Sequence, residues 1–243
     1  MRVMDFEEAY GTIVKASKEQ DSIEIPTIIS SVDFKDKECL EIGCGPLARL
    51  AVKISKNIDV KHITCLENYD LVVKKAKKAV DVAGLSDKIS VQMYKNEDPY
   101  KLPFDDNSFD VVYGAWLPHD LVTDTGFLDE IARVSRKHVL LIVSGIDDDL
   151  VKMKSIVFPG EKERREGSKK QVSEYLKNKG FKIDYKDAVL KLDFKNFDEI
   201  AGVFYFFDFK NEDIGDNKED VDKFLKAKIH NLKNSFYCLH GEK

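Results

Sequence analysis

No stretch of this 243-residue sequence approaches the roughly 20 consecutive apolar residues that a membrane span requires. Its first residues, Met1-Arg2-Val3-Met4-Asp5-Phe6-Glu7-Glu8, turn acidic where a secretion signal would turn apolar. No membrane partner is therefore expected, and the chain reads as cytoplasmic. Arginine is scarce, six residues against 33 lysines, and the net charge is −5. Both facts argue against nucleic acid as a partner, because its binders carry a basic surface and arginine is the better phosphate clamp. The four cysteines, Cys39, Cys44, Cys65 and Cys238, lack Cys-x-x-Cys spacing. They read as reduced core or turn residues, with neither a metal site nor a disulfide expected. Internal repeats, low-complexity tracts and a linker long enough to split the chain are missing too, which points to a single domain over 1–243.

What is present is an ordinary globular composition, 43% hydrophobic and 34% charged. Asp5-Phe6-Glu7-Glu8 forms a capping pattern, followed by Phe6, Tyr10, Ile13 and Val14 on one helical face. A second helix is expected over 21–31, which carries Pro26 near the front of a short apolar run. The pattern then alternates: strand 38–43, helix 46–56, strand 62–67, helix 69–83, strand 88–94, strand 109–115, helix 125–134 and strand 137–144. Such alternation predicts an α/β fold, a parallel sheet with helices on both faces. Ser168-Lys169-Lys170-Gln171 and Gly180 bracket a helix at 169–179, followed by a strand at 181–190. Helices near 196–208 and 218–232 and a last strand at 236–240 complete the reading.

Leu40-Glu41-Ile42-Gly43-Cys44-Gly45 is the most informative stretch: a buried strand ending on an acid and opening into a Gly-x-Gly turn before a helix. Two glycines let the backbone bend sharply and approach a ligand closely, and the following helix aims N–H groups at the same place. Pro46 suits the first helical position. About twenty residues on, His62-Ile63-Thr64-Cys65-Leu66-Glu67 again ends a strand on an acid, placed to accept the hydroxyls of a ribose. Gly43-Cys44-Gly45-Pro46-Leu47-Ala48 also satisfies the G-x-G-x-x-(G/A) fingerprint, so a dinucleotide such as NAD, and an oxidoreductase, stay open at this point.

The surrounding residues resemble the class I S-adenosylmethionine-dependent methyltransferase family from about residue 30 onward. Glu41-Ile42-Gly43-Cys44-Gly45 is similar to its Glu-x-Gly-x-Gly motif. Asp98-Pro99-Tyr100-Lys101-Leu102-Pro103-Phe104, with Ser108-Phe109-Asp110 leading into a strand, is similar to its adenine-side segment. Phe127 to Val134 is similar to the helix before its fifth strand. Ser135-Arg136-Lys137-His138 stands where many members have a Lys-Pro-Gly-Gly turn, a departure at the end of the sheet away from the cofactor. The resemblance implies a Rossmann-like seven-stranded sheet flanked by helices, with an antiparallel last strand and a helical insertion before it. It divides the domain into a helical cap (1–32), a cofactor-binding core (33–145) and a substrate-side half (146–243).

By the same resemblance, S-adenosyl-L-methionine is the cofactor. Gly43, Cys44 and Gly45 would lie against its methionyl part, and Glu41 would order the loop or reach the amino group. Glu67 would take the ribose diol. Asn68 and Tyr69 would flank the adenine, with Asp98 accepting from its amino group beside Pro99, although an Asp before a Pro is also a common turn residue. Ala115 and Trp116 would face the methionyl group or the acceptor. Methyl transfer needs positioning more than it needs a base. If a base is used, His119, just after the fourth strand, is the candidate, with Asp120 as a helper and an exposed loop histidine as the bland alternative. Phe204, Tyr205, Phe206 and Phe207 would either cover an apolar acceptor or fill the core. Lys162, Arg164, Arg165, Lys169 and Lys170 are interleaved with Glu161, Glu163 and Glu166 and read as a solvated face. The expected activity is methylation of a small molecule, the oligomeric state being open. The alternatives are an NAD-dependent oxidoreductase and a non-catalytic cofactor-binding scaffold or regulatory subunit.

Overall fold

The computed structural model describes residues 4–18, 20–95, 101–209 and 214–243. Helices α1 (Phe6–Ala16) and α2 (Gln20–Ser31) open the chain. There follow β1 (Glu38–Ile42), α3 (Arg49–Asn57), β2 (His62–Glu67), α4 (Asp70–Val82), β3 (Ile89–Met93), β4 (Phe109–Ala115), α5 (His119–Thr123), α6 (Thr125–Val134) and β5 (Ser135–Ser144). Then come α7 (Asp149–Val157), α8 (Glu161–Asn178), β6 (Lys182–Leu192), α9 (Phe197–Phe207), a 3-10 turn at Gly215–Asn217, α10 (Lys218–Ala227) and β7 (Leu232–Glu242).

The seven strands form one sheet in the order β3-β2-β1-β4-β5-β7-β6. β1 pairs in parallel with β2 and β4, β2 with β3, and β4 with β5. β7 runs antiparallel to β5: Gly145 N donates to Ser235 O at 2.8 Å, and Lys243 N to Lys137 O at 2.9 Å, so one strand recedes as the other advances. The insertion before the last strand is α9 and α10. The expected Rossmann-like sheet, with its antiparallel end and helical insertion, is therefore what the chain forms.

The described residues fall into two compact units, one drawn from 25–143, 168–186 and 237–243, the other from 1–24, 144–167 and 187–236. In the first, Leu40, Ile63, Cys65, Val111 and Leu140 are all fully buried. Strands covered on both faces carry such continuous apolar runs rather than alternation. In the second, Phe194, Ile200, Val203, Phe204, Val221 and Leu225 form the centre of a separate core.

Several expected boundaries move. Gly45 to Ala48 is a turn and α3 begins only at Arg49, so Pro46 is not its first residue. Positive φ values at Gly43, Gly45 and Ala48 keep the chain out of helical geometry until then. Pro26 lies inside α2. Burial of Ile25, Ile28 and Val32 outweighs the backbone donor that proline lacks. Ser135 to His138 is already strand, because β5 starts directly where α6 stops. α8 starts at Glu161, eight residues early, and its charges are not all solvated. Glu161 and Arg165 are buried, and Glu161 binds Arg164 at 2.8 Å and Arg165 at 2.7 Å, both one turn on. α10 ends at Ala227, since Lys228 to His230 turns and β7 takes over at Leu232. α5 and α7 are helices that the sequence pattern does not announce. α7 is capped by Asp148, whose carboxylate accepts from Val151 N at 2.8 Å.

Candidate functional site

β1 lies between β2 and β4, and the chain leaves it in opposite directions across the sheet, which opens a crevice at the carboxyl ends of these strands. The glycine turn lies there. Gly43 (φ 71°) and Gly45 (φ 67°) occupy the left-handed region, where side chains are strained. A Cβ on Gly43 would come within 2.7 Å of Leu117 Cδ2, and one on Gly114 within 2.6 Å of Leu117 Cδ1. Leu117 thus rests on two glycine positions at once. It is brought there by Trp116, which follows β4 in left-handed geometry (φ 56°) while its N–H donates to Ile142 O at 2.9 Å. A bulky residue held at positive φ beside a glycine turn marks a site where the surrounding structure dictates backbone shape.

Two acids frame the turn differently. Glu67, at the end of β2, accepts from Gly45 N through Oε1 at 2.8 Å and from Asn68 N through Oε2 at 3.2 Å. It stays half-exposed, with Asn68 and Tyr69 exposed beside it. Glu41 is only 2% exposed. Its Oε2 accepts from Ala51 N at 3.0 Å, from the Tyr113 hydroxyl at 3.0 Å and from the Cys65 thiol at 3.8 Å. Ala48 provides no side-chain cap for α3. Glu41 therefore supplies from β1 the acceptor that the helix N-terminus lacks. Burial pushes its carboxyl up to about 7, against the hydrogen bonds from Tyr113 and Ala51. Burial and Glu41 together hold the Tyr113 hydroxyl well above its ordinary value. These contacts tie β1 to the start of α3 and to β4. Cys44 is buried in the turn, where its neighbour Cys65 has a thiol raised by its hydrogen bond with Cys44 and then by burial.

The structure thus brings Glu41, Gly43, Cys44, Gly45, Glu67 and Asn68 together at the ends of β1 and β2, with Ala115 and Trp116 at the end of β4. Asp98 and Pro99 lie outside the described residues. The segment just after them is clamped from α6. Arg133 donates to Phe104 O at 2.8 Å, Leu102 O at 3.2 Å and Asp106 at 2.9 Å, while Glu130 accepts from Leu102 N at 2.8 Å. His119 is the first residue of α5, and its Nε2 lies 2.6 Å from Ser168 Oγ on α8. Asp120 is fully exposed, 3.7 Å from Nδ1. The aromatic block divides: Phe204 is buried in the core and the Tyr205 hydroxyl donates to Asp222 at 2.7 Å. Phe206 and Phe207 instead lie 6.3 and 6.2 Å from Phe6, and Phe207 is exposed. An open groove of about 590 Å³ beside Gly215, Lys218, Asp222 and Lys226 shares no residue with the strand-end site. Leu117, Tyr113, Arg133 and Ser168 were missed from sequence. Only Tyr113 left a signal, since a buried acid on β1 calls for a donor on the neighbouring strand.

These features fit one nucleoside cofactor better than the other. Pro46 offers no N–H to a pyrophosphate, and insertion of β7 between β5 and β6 departs from the 3-2-1-4-5-6 order of dinucleotide binders. Residues 40–143 match the family described as methyltransferase domain. The chain holds its glycine turn, Glu67 and the whole of β4 inside this matched methyltransferase-domain segment. It is 32% identical over 117 residues to protein arginine N-methyltransferase 1 of Saccharomyces cerevisiae, a match covering 47% of this chain and 31% of that protein. The chain therefore spans about a third of the length of this curated relative. In fold, the chain is similar to magnesium protoporphyrin IX methyltransferase from Synechocystis PCC 6803, solved with bound S-adenosylhomocysteine (TM-score 0.57, 14% identity, 100% of this chain and 90% of that one). It is also similar to a provisionally named methyltransferase of Bacillus halodurans C-125 (TM-score 0.60, 15% identity, 90% and 98%). S-adenosylmethionine is the cofactor of this domain family. Among the described residues no helix is long and apolar enough to cross a membrane.

Proposed function

We propose that the chain transfers a methyl group from S-adenosylmethionine to a small-molecule acceptor. The observation that carries the reading is the join between the left-handed glycine turn and the Glu67 carboxylate at the switch point of the sheet. Gly43, Cys44 and Gly45 hold the methionyl part. Glu67 turns its oxygens to the ribose diol, with Asn68 on the adenine side; Asp98 and Pro99 complete that side. Glu41 keeps the turn and the start of α3 in register without itself contacting ligand. Ala115 and Trp116 border the reacting end. When bound, the cofactor supplies an electrophilic methyl group on a sulfonium, which a nucleophile takes in line with the departing sulfur. Holding the acceptor in that line supplies up to ~7 to 11 kcal/mol of the barrier reduction. His119 takes the proton that an ionising acceptor releases. The whole of 1–243 acts as one methyltransferase domain in this reading, with 146–243 setting acceptor choice.

A second reading is a protein arginine acceptor, favoured by the 32% identical yeast relative. The two separate by incubation with methyl-labelled S-adenosylmethionine and either a cell extract filtered to small molecules or an arginine-rich peptide. Label and S-adenosylhomocysteine formation with the small-molecule pool alone are expected. Label confined to the peptide would transfer the assignment to protein arginine, and none in either would defeat both.

A further inference from the structure

α8 presents Ser168, Gln171 and Tyr175 at spacings of three and four, which puts them on one face of the helix. That face is fastened along α5 and α6. Ser168 Oγ meets His119 Nε2 at 2.6 Å, Gln171 Nε2 donates to Thr123 O at 3.3 Å, and the Tyr175 hydroxyl donates to Asp129 at 2.9 Å. Just past the helix, Lys179 pairs with the same Asp129 at 2.6 Å. The adjoining stripe of α8 is anchored by Val172 and Leu176, both buried. Ser168 is therefore delivered by a helix held on two sides. The helix it meets is different in kind: α5 has five residues, too few to persist by itself. Thr123 Oγ1 closes it on His119 O at 3.0 Å, and α8 supplies the outer support.

We propose that Ser168 is a positioning residue for His119, its hydroxyl fixing the imidazole ring of the candidate base in a single tautomer and rotamer. The inference rests on the reading of His119 as proton acceptor. A ring that takes a proton at Nδ1 must carry its own hydrogen on Nε2, so Nε2–H donates to Ser168 Oγ. Asp120, 3.7 Å from Nδ1, favours the imidazolium formed there. Lys169, next to Ser168 in sequence, is directed to the Tyr185 and Tyr237 rings, 4.2 and 4.4 Å from their centroids. The order Asp120, His119, Ser168 superficially resembles a hydrolytic triad, but the geometry points elsewhere. The Asp120 separation exceeds a hydrogen bond, and Ser168 lies within a helix whose N–H groups are committed to its own ladder rather than to an oxyanion.

The test is the nitrogen spectrum of the histidine rings in wild type, Ser168→Ala and Ser168→Thr, followed against pH without cofactor, with His119→Gln assigning the signal. Wild type and Ser168→Thr should show the Nε2–H tautomer. Ser168→Ala should show a tautomer mixture and a titration midpoint lower by about 0.5 to 1 pH unit, the equivalent of one lost hydrogen bond to the charged ring. S-adenosylhomocysteine affinity should be the same in all three. An unchanged tautomer and midpoint in Ser168→Ala would overturn the proposal. Should that variant not fold, a tautomer mixture or an Nδ1–H ring in wild type would overturn it equally. Failure of wild type to bind S-adenosylhomocysteine would instead defeat the function proposed above, and the ring spectra would still decide the role of Ser168.

Discussion

Replacing Glu41 with glutamine removes a titration that erodes the fold between about pH 4.5 and pH 7. The carboxyl is buried beneath the glycine turn, and its ordinary value of 4.5 rises to about 7 in the folded chain. A raised acid means that the folded state holds this proton more tightly than the unfolded state. Stability from this group is therefore complete below the unfolded value and is lost as pH climbs through the folded one. The rise corresponds to about 3 kcal/mol at roughly 1.4 kcal/mol per unit, fully lost above pH 7. Glutamine keeps an oxygen for the Ala51 and Tyr113 donors and cannot ionise. Urea unfolding followed by the single tryptophan, Trp116, provides the assay, with both proteins compared at each pH from 4 to 8. Wild type should lose about 3 kcal/mol relative to Glu41→Gln over that range, nearly all of it between pH 4.5 and 7. A difference that stays flat with pH, or that grows in favour of wild type, would refute the reasoning.

Gly114→Ala should destabilise by about 1 to 3 kcal/mol, because its Cβ meets Leu117 at 2.6 Å and Ile42 O at 3.3 Å; combining it with Leu117→Ala should recover part of that in a double-mutant cycle by chemical denaturation. Arg165→Ala should cost about 3 to 5 kcal/mol by the same assay, since it strips one partner from the buried Glu161. The two arginines overcome burial and hold Glu161 down at about 2, so its stabilisation is present above pH 4.5 and fades as pH falls toward 2; the variant should show less of that acid-side loss. His138 and His240 lie 3.0 Å apart, and burial is the first cause of the lowered value of each. Their neutral forms stabilise the fold above about pH 6.5, so thermal unfolding should move down from pH 7.5 to 5.5 by more in wild type than in His240→Gln.

Periodicity and the strand-end acids were legible because they are local. β2 ends on Glu67 as read, Glu41 is the last residue but one of β1, and the alternation of elements up to β5 is dictated by apolar runs that only a doubly covered sheet can bury. Contacts across the chain were not legible. Glu41 and Glu67 look alike in sequence, yet one is buried by Tyr113 and Ala51 while the other stays half-exposed beside Asn68. The extra length of α8 depended on Glu161 finding two arginines one turn on, a pattern that also reads as a solvated face. Leu117 belongs to the site only because Trp116 turns the chain back over Gly43, and no local propensity announces a left-handed tryptophan.

The central claim is that the glycine turn and Glu67 bind the nucleoside of S-adenosylmethionine. Calorimetric titration with S-adenosylhomocysteine, on wild type, Glu67→Ala and Glu67→Gln, tests it most directly. Wild type should bind, and the two variants should bind at least about tenfold more weakly, the equivalent of one lost charge-assisted hydrogen bond to the ribose. Wild type that fails to bind S-adenosylhomocysteine, or variants that bind it as tightly as wild type, would contradict the account.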